Sequence, residues 1–215
     1  MDQIPASSLT ERPKAPRPDE VELRFSPRAV RELERLLTHY PDKKSAMLPA
    51  LWIAQREYGG YLPREALLEV AVRLGRSYAE VEGVATFYTM YHVAHPVGRH
   101  VIEVCTCLSC YLCGAYRILD YLKERLGLTA SALPSGEGPG VRADTPDGMF
   151  TIEEVECLNA CDRAPVLMVG DQYIGPVTPE DVDALLDRLS QEDSPTTVRL
   201  ADEIVQCQLH KGEQG

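Results

Sequence analysis

Three kinds of feature are scarce in this 215-residue chain, and each shortage removes a class of function. No apolar run approaches the roughly 18 residues that a bilayer-spanning helix needs, so no membrane span is expected. Residues 1–25 hold no apolar core of a secretory signal, so none is read there. Positive charge is short as well. Against 33 Asp and Glu stand 22 Lys and Arg, a net charge of −11, which argues against a nucleic-acid partner. What remains, 44% hydrophobic and 26% charged, is ordinary globular composition, enough for one domain or two small ones.

Cysteine, by contrast, is plentiful. There are seven, an odd number that rules out complete internal pairing. With no signal segment read, they point to a reducing, cytoplasmic setting in which clustered thiols more often bind metal than form disulfides.

Met1 to Phe25, with four prolines among mixed charges, reads as a flexible arm. Ser26-Pro27 is a helix start, followed by Val30, Leu33, Leu36 and Leu37 on one face. A second helix is expected from about Lys44 to Tyr58, its start displaced toward Pro49 and its end set by Gly59-Gly60. Pro63 opens a third helix, stopped by Gly75. Ser77 and Glu80 form a capping box for a fourth, which fades near His92. Four short amphipathic helices must pack together, so residues 26–96 are expected to form a small bundle, a docking module rather than a DNA reader. From residue 97 the pattern changes. Val101, Ile102 and Val104 make a strand running into Cys105. A helix follows the cysteines, with Ala115, Ile118, Leu119, Leu122 and Leu126 on one face and Gly127 at its C-cap; Leu128 to Ala143 make a long loop, and Met149 to Glu156 a second strand. A hairpin about Gly170-Asp171 and a helix begun by Thr178-Pro179 complete the order β-α-β-β-β-α over residues 97–190. Residues 191–215 read as a polar, loosely held tail. The fold class expected is α+β, a helical bundle followed by an α/β domain.

Function is concentrated in Cys105-Thr106-Cys107-Leu108-Ser109-Cys110 and Cys157-Leu158-Asn159-Ala160-Cys161. Four readings compete. The first is a four-thiolate site of Cys105, Cys110, Cys157 and Cys161. The second is a cluster run through Cys107, Cys110 and Cys113. The third is a thioredoxin-type dithiol of Cys107 and Cys110 at a helix start, and the fourth a structural zinc site. Cys113 is expected inside the helix, where its thiol is less free to reach a loop-borne metal, and the dithiol leaves Cys157 and Cys161 unexplained. Spacing favours four cysteines on one centre without naming the metal. Cys207 reads as a free surface thiol. His39, His92, His95, His100 and His210 read as solvated or structural, and Trp52 with Tyr58, Tyr61, Tyr88 and Tyr91 as bundle core.

Further motifs carry a resemblance. Tyr58-Gly59-Gly60-Tyr61-Leu62-Pro63 and Val81-Glu82-Gly83-Val84-Ala85-Thr86-Phe87-Tyr88 lie in the helical part. Val104-Cys105-Thr106, Leu108-Ser109-Cys110, Pro146-Asp147-Gly148-Met149-Phe150, Glu156-Cys157-Leu158 with Cys161, and Ala164-Pro165-Val166 follow in order. Over roughly Phe25 to Leu189 the chain resembles the 24 kDa-type [2Fe–2S] subunits of respiratory NADH:quinone oxidoreductase (complex I), thioredoxin-like [2Fe–2S] ferredoxins. The resemblance implies a thioredoxin-like domain behind the bundle and a [2Fe–2S] cluster on Cys105, Cys110, Cys157 and Cys161. It implies an electron-transfer subunit that is not catalytic alone. Its partners would be a larger subunit carrying FMN and binding NADH and other peripheral-arm subunits, in a cytoplasmic complex peripheral to the inner membrane. Related subunits serve soluble NAD-linked hydrogenases and formate dehydrogenases. The chain departs from the family in the extra thiols Cys107 and Cys113, in Asn159 where Gly is usual (tolerable if the backbone is left-handed), and in an insertion at Ser131 to Ala143. Pro165 is a candidate cis proline.

Overall fold

Ser26 caps the first helix, α1 (Pro27–Leu37). Its hydroxyl accepts the Ala29 amide at 3.2 Å, and Pro27 sits where a missing amide costs least. Three helices follow, α2 (Met47–Glu57), α3 (Arg64–Leu74) and α4 (Tyr78–Phe87). Gly75 ends α3 in the left-handed conformation, and Ser77 with Glu80 closes the expected capping box on α4. Leu36, Leu51, Ile53, Leu67 and Leu74 fill the centre of the bundle. The structure is a computed structural model that describes residues 14–93, 95–128 and 142–211.

Beyond the bundle comes a five-stranded sheet: β1 (His100–Cys105), β2 (Arg142–Asp144), β3 (Phe150–Val155), β4 (Leu167–Val169) and β5 (Gln172–Ile174), in the order β2-β3-β1-β4-β5. The β1–β3 pair is parallel, with Cys105 opposite Val155, and the other pairs are antiparallel. Parallel neighbours need a crossover, which here carries α5 (Leu108–Leu112) and α6 (Ala115–Arg125). Ile102, Val104 and Ile152 face α6 and α7 (Pro179–Ser190). By strand alternation Val101 and Glu103 take the opposite face, where with Met168 they border a cavity of about 370 Å³ shared with Trp52 and His92 of the bundle region.

The largest correction concerns residues 191–215. Thr196–Lys211 is not a loose tail but a helix, α8, that closes the bundle. Ala201, Val205 and Leu209, four residues apart, are buried against α2 and its neighbours. Two of its polar residues tie it to the bundle. Asp202 accepts Arg56 at 2.8 Å and Arg28 at 2.6 Å, and Gln206 donates to Glu32 at 2.9 Å. Polarity that looked like solvation is an inward-facing ionic seam.

The arm is corrected at its end. Residues 1–13 lie outside the described residues, but Phe25 is buried, and the Arg24 and Phe25 amides donate to the fully buried Glu69 carboxylate at 2.8 and 2.9 Å. The loop expected to last through Ala143 gives up its end to β2, a three-residue edge strand too short for a periodic signal. The rest of the proposed insertion lies outside the described residues. The helix expected to enclose Cys113 breaks there, because Gly114 takes a φ of 91° between α5 and α6. Trp52 and Tyr91 are core as expected, whereas Tyr88 is exposed. His100 is structural, fully buried with Nε2 at 3.1 Å from the Glu192 carbonyl.

Candidate metal centre

Because β1 and β3 run parallel and in register, both deliver their C-terminal ends to one edge of the sheet. The Thr106 amide donates to the Val155 carbonyl at 3.0 Å and the Cys105 amide to the Val166 carbonyl at 3.2 Å, so the two cysteine loops start side by side. Cys107 then occupies the N-cap of the five-residue α5, which carries Cys110 inward. On the other loop Asn159 adopts a φ of 56°, the left-handed conformation that Asn tolerates best after Gly. This turn aims the Asn159 amide at the Cys157 sulfur, 3.3 Å away. A single 3-10 turn, Cys161–Arg163, leads to a cis Ala164–Pro165 bond.

Cys105, Cys110, Ala115, Leu158 and Val166 form a small buried cluster of their own, with Cys107 packed at its edge. The Cys110 thiol is in hydrogen-bonding contact with Cys105 and within electrostatic reach of Cys161. Cys107 lies within electrostatic reach of Cys157 and Cys105. Thus the four expected ligands gather at one edge, two of them buried and two exposed, with Cys107 as a fifth thiol among them. Cys113 is exposed at the end of α5, and Cys207 is exposed on α8. Among the described residues no three His, Cys, Asp or Glu side chains converge as they would on a single metal ion.

The electrostatics suit a metal better than a dithiol. Burial, and then the Cys105 thiol, push Cys110 up to about 11. At Cys107 the Leu108 amide pulls the other way, but burial and the Cys157 and Cys105 thiols outweigh it, and the net shift is upward. Crowded thiols of this kind resist ionising on their own account, and a bound cation supplies the compensation that makes thiolates stable. The donor set therefore fits an iron–sulfur group: soft ligands, partial burial, and a backbone amide directed at one sulfur.

Two features escaped the sequence reading. Leu108, Tyr111, Leu112 and Tyr116 form an exposed apolar group beside the thiols, with the Tyr111 and Tyr116 rings 5.8 Å apart and Tyr116 Oη donating to Glu154 at 2.9 Å. The available signal was that Leu108, Tyr111 and Leu112 precede the apolar stripe of α6 and so have no core to enter. The second is Gly175, where an added Cβ would lie 2.3 Å from the Arg163 carbonyl oxygen, at the turn that follows Cys161. Nothing local in the sequence announces that approach.

The family model of the thioredoxin-like [2Fe-2S] ferredoxins matches residues 33–190. The chain belongs to that family. Among curated relatives of this thioredoxin-like [2Fe-2S] chain, an NADH-quinone oxidoreductase subunit of Rhizobium meliloti is 42% identical over 170 residues, covering 79% of this chain and 94% of that protein. An NADH-quinone oxidoreductase subunit of Thermus thermophilus is 40% identical over 157 residues, 72% of this chain and 80% of that protein. Among solved structures, an NAD+-reducing [NiFe]-hydrogenase in the air-oxidized state superposes with a TM-score of 0.52 at 18% identity. That match covers 66% of this chain and only 23% of the hydrogenase chain, and it speaks to the fold alone. The α+β class and the thioredoxin-like character of the sheet domain stand as expected. Among the described residues no helix is long and apolar enough to cross a membrane.

Proposed function

We propose that this chain is the electron-transfer subunit of the NADH-oxidising module of an NADH:quinone oxidoreductase, holding one [2Fe–2S] cluster on Cys105, Cys110, Cys157 and Cys161. When bound, such a cluster supplies a one-electron relay for a flavin. The observation that carries the reading is the gathering of those cysteines where β1 and β3 end together, in a chain whose relatives are named as subunits of that enzyme.

The chain's own residues have separate parts. Cys105 and Cys110 anchor the centre from within, and Leu158 and Val166 keep water from their sulfurs. Cys157 and Cys161 face outward, toward a redox partner. The Asn159 amide stabilises negative charge on the Cys157 sulfur. The exposed Leu108, Tyr111, Leu112 and Tyr116 give the flavin-bearing, NADH-binding partner an apolar surface to dock on, close to the thiols. FMN and NADH belong to that partner, and the chain sits in the cytoplasm, peripheral to the inner membrane. A dithiol role for Cys107 and Cys110 leaves Cys157 and Cys161 without a part, and burial pushes the Cys110 thiol up rather than down.

Anaerobic purification tests the reading. The protein should be red-brown, contain about two irons and two sulfides per chain, and give a rhombic paramagnetic signal on reduction. Serine at position 105, 110, 157 or 161 should impair the cluster, and serine at 107, 113 or 207 should leave it in place. A colourless protein carrying zinc, or loss of the cluster in Cys107→Ser with retention in Cys105→Ser, refutes the assignment.

A further inference from the structure

The cavity of about 370 Å³ between the bundle and the sheet falls within the size range of small-molecule sites. Hydrogen bonds fix its walls on both sides. On α8 the Thr196 hydroxyl accepts the Val101 amide at 3.0 Å, and the Thr196 amide donates to the Arg99 carbonyl at 2.9 Å. On the bundle side Gln55 donates to the Met90 carbonyl at 3.3 Å and accepts the His92 amide at 2.9 Å. No cysteine lines the space. We propose that this cavity binds a small arylalkylammonium ion, with its ring against Trp52, Met90 and Met168 and its ammonium group donating to Glu103.

Glu103 selects the polar end of the ligand. Its half-buried carboxyl lines the cavity, and among the described residues none donates a hydrogen bond to it. A carboxyl withdrawn from water without a donor costs free energy, so a ligand that brings the donor recovers what the fold leaves open. The charges around it favour a cation. Glu153 stands beside Glu103 in the β1–β3 register, with His92 Nδ1 at 3.5 Å from its carboxylate. Exposed Asp171 and Tyr173, on the β4–β5 hairpin, mark the mouth and add a further carboxylate. The Arg199 guanidinium, which reaches Gly170 at that mouth, is engaged with Glu192 at 3.2 Å. An anion entering here meets like charge, and an ammonium group meets opposite charge. The apolar wall selects the other end of the ligand. Trp52 offers an aromatic ring, and Met90 with Met168 two thioethers, surfaces that pack well on a flat ring. Once bound, the ion ties α2 and α8 of the bundle to β1 and β4 of the sheet.

The test uses the full-length protein as purified, at one fixed pH, with phenethylammonium as the probe. Trp52 is the one tryptophan of the chain, so its emission reports directly on the cavity wall. Titration should give a saturable change with a Kd of about 1 mM or below. The Tm should rise by about 3–6 °C at roughly ten times that concentration. Phenethyl alcohol keeps the ring and chain but replaces the ammonium by a hydroxyl, and it should bind at least about tenfold more weakly. Hydrocinnamate, the carboxylate of similar shape, should give no change over the same range. Glu103→Gln should weaken the probe at least about tenfold. No saturable change up to about 10 mM probe overturns the proposal. So does an alcohol or a carboxylate that binds as tightly as the amine, or a folded Glu103→Gln protein with wild-type affinity. The three probes on the wild type decide the matter even where Glu103→Gln fails to fold.

Discussion

Replacing Gly175 by alanine adds one methyl group where the turn after Cys161 has no room for it. The new Cβ would stand 2.3 Å from the Arg163 carbonyl oxygen, 3.0 Å from the Pro165 carbonyl oxygen and 3.2 Å from the Arg163 Cβ. Carbon and carbonyl oxygen ordinarily approach no closer than about 3.3 Å, so the facing backbone has to yield by roughly 1 Å. Two of the three obstacles are backbone atoms, so no rotamer change relieves the clash. Arg163 ends the turn that begins at Cys161, and the Ala164 amide bonds back to the Cys161 carbonyl at 3.4 Å, so the displacement reaches that cysteine. Metal–ligand distances tolerate about 0.2 Å. Gly175→Ala should therefore lower iron per chain, and the overpacking should cost about 1–3 kcal/mol of stability, or roughly 4–8 °C in Tm for a 2 kcal/mol loss. The control is Gly83→Ala in α4, where an added Cβ meets nothing within 4 Å. There the same change should stabilise by about 0.5–1 kcal/mol, through helix propensity alone. Iron analysis and thermal melts of the two variants decide the matter. A Gly175→Ala protein with wild-type iron content and an unchanged Tm would show that the loop gives way freely, refuting the steric argument.

Glu69 is fully buried and accepts from the Arg24 and Phe25 amides, Tyr58 and Arg73. In Glu69→Gln a donor replaces one of its acceptor oxygens, at a cost of roughly 3 kcal/mol. With a slope of about 2–3 kcal/mol per molar urea, the unfolding midpoint should fall by about 1 M; an unchanged midpoint would mean the arm is not held this way. Burial, and then Glu153, push the Glu103 carboxyl up to about 7. The native state therefore keeps a proton that the unfolded chain releases above the ordinary carboxylate range, and stability drains away as pH rises through that range to about 7, by roughly 2–4 kcal/mol. Glu103→Gln should flatten this part of the pH profile, and parallel wild-type and variant profiles in urea melts from pH 5 to 8 would contradict it. Val205→Asp places a charge at a fully buried position of α8 and should cost about 4 kcal/mol or more. Trypsin should then cut at Arg199 markedly faster, and wild-type resistance there would argue against the docked helix.

Most of the helical half was legible because its punctuation is chemical. Ser26-Pro27, the Ser77–Glu80 box and Gly75 act within one turn of chain, so a local reading finds them. The cysteine edge was legible for a different reason. Two hydrophobic strands each run into a cysteine loop, and parallel pairing then brings the loops together. What stayed hidden depends on partners far along the chain. Residues 196–211 look polar because Asp202 and Gln206 answer Arg28, Arg56 and Glu32 across the bundle. The break at Cys113-Gly114 was hidden because Gly inside an apolar helical pattern is ambiguous until its φ is known. Cys107 is identical in type to the ligands beside it, and only the register of the family's motifs, not its local chemistry, leaves it outside the expected ligand set.

The docking of α8 sets an order of events during synthesis. Helices α1 to α4 are made first, but the wall that covers α2 belongs to residues 196–211, which emerge only after the whole sheet has been translated. Until then Leu51 and its neighbours lack part of their cover, and the nascent bundle is an open structure suited to a chaperone's grip. A ribosome that stalls before Thr196 has made the sheet and both cysteine loops but leaves the bundle open, so closure of the bundle is the last structural event and marks a chain translated through α8.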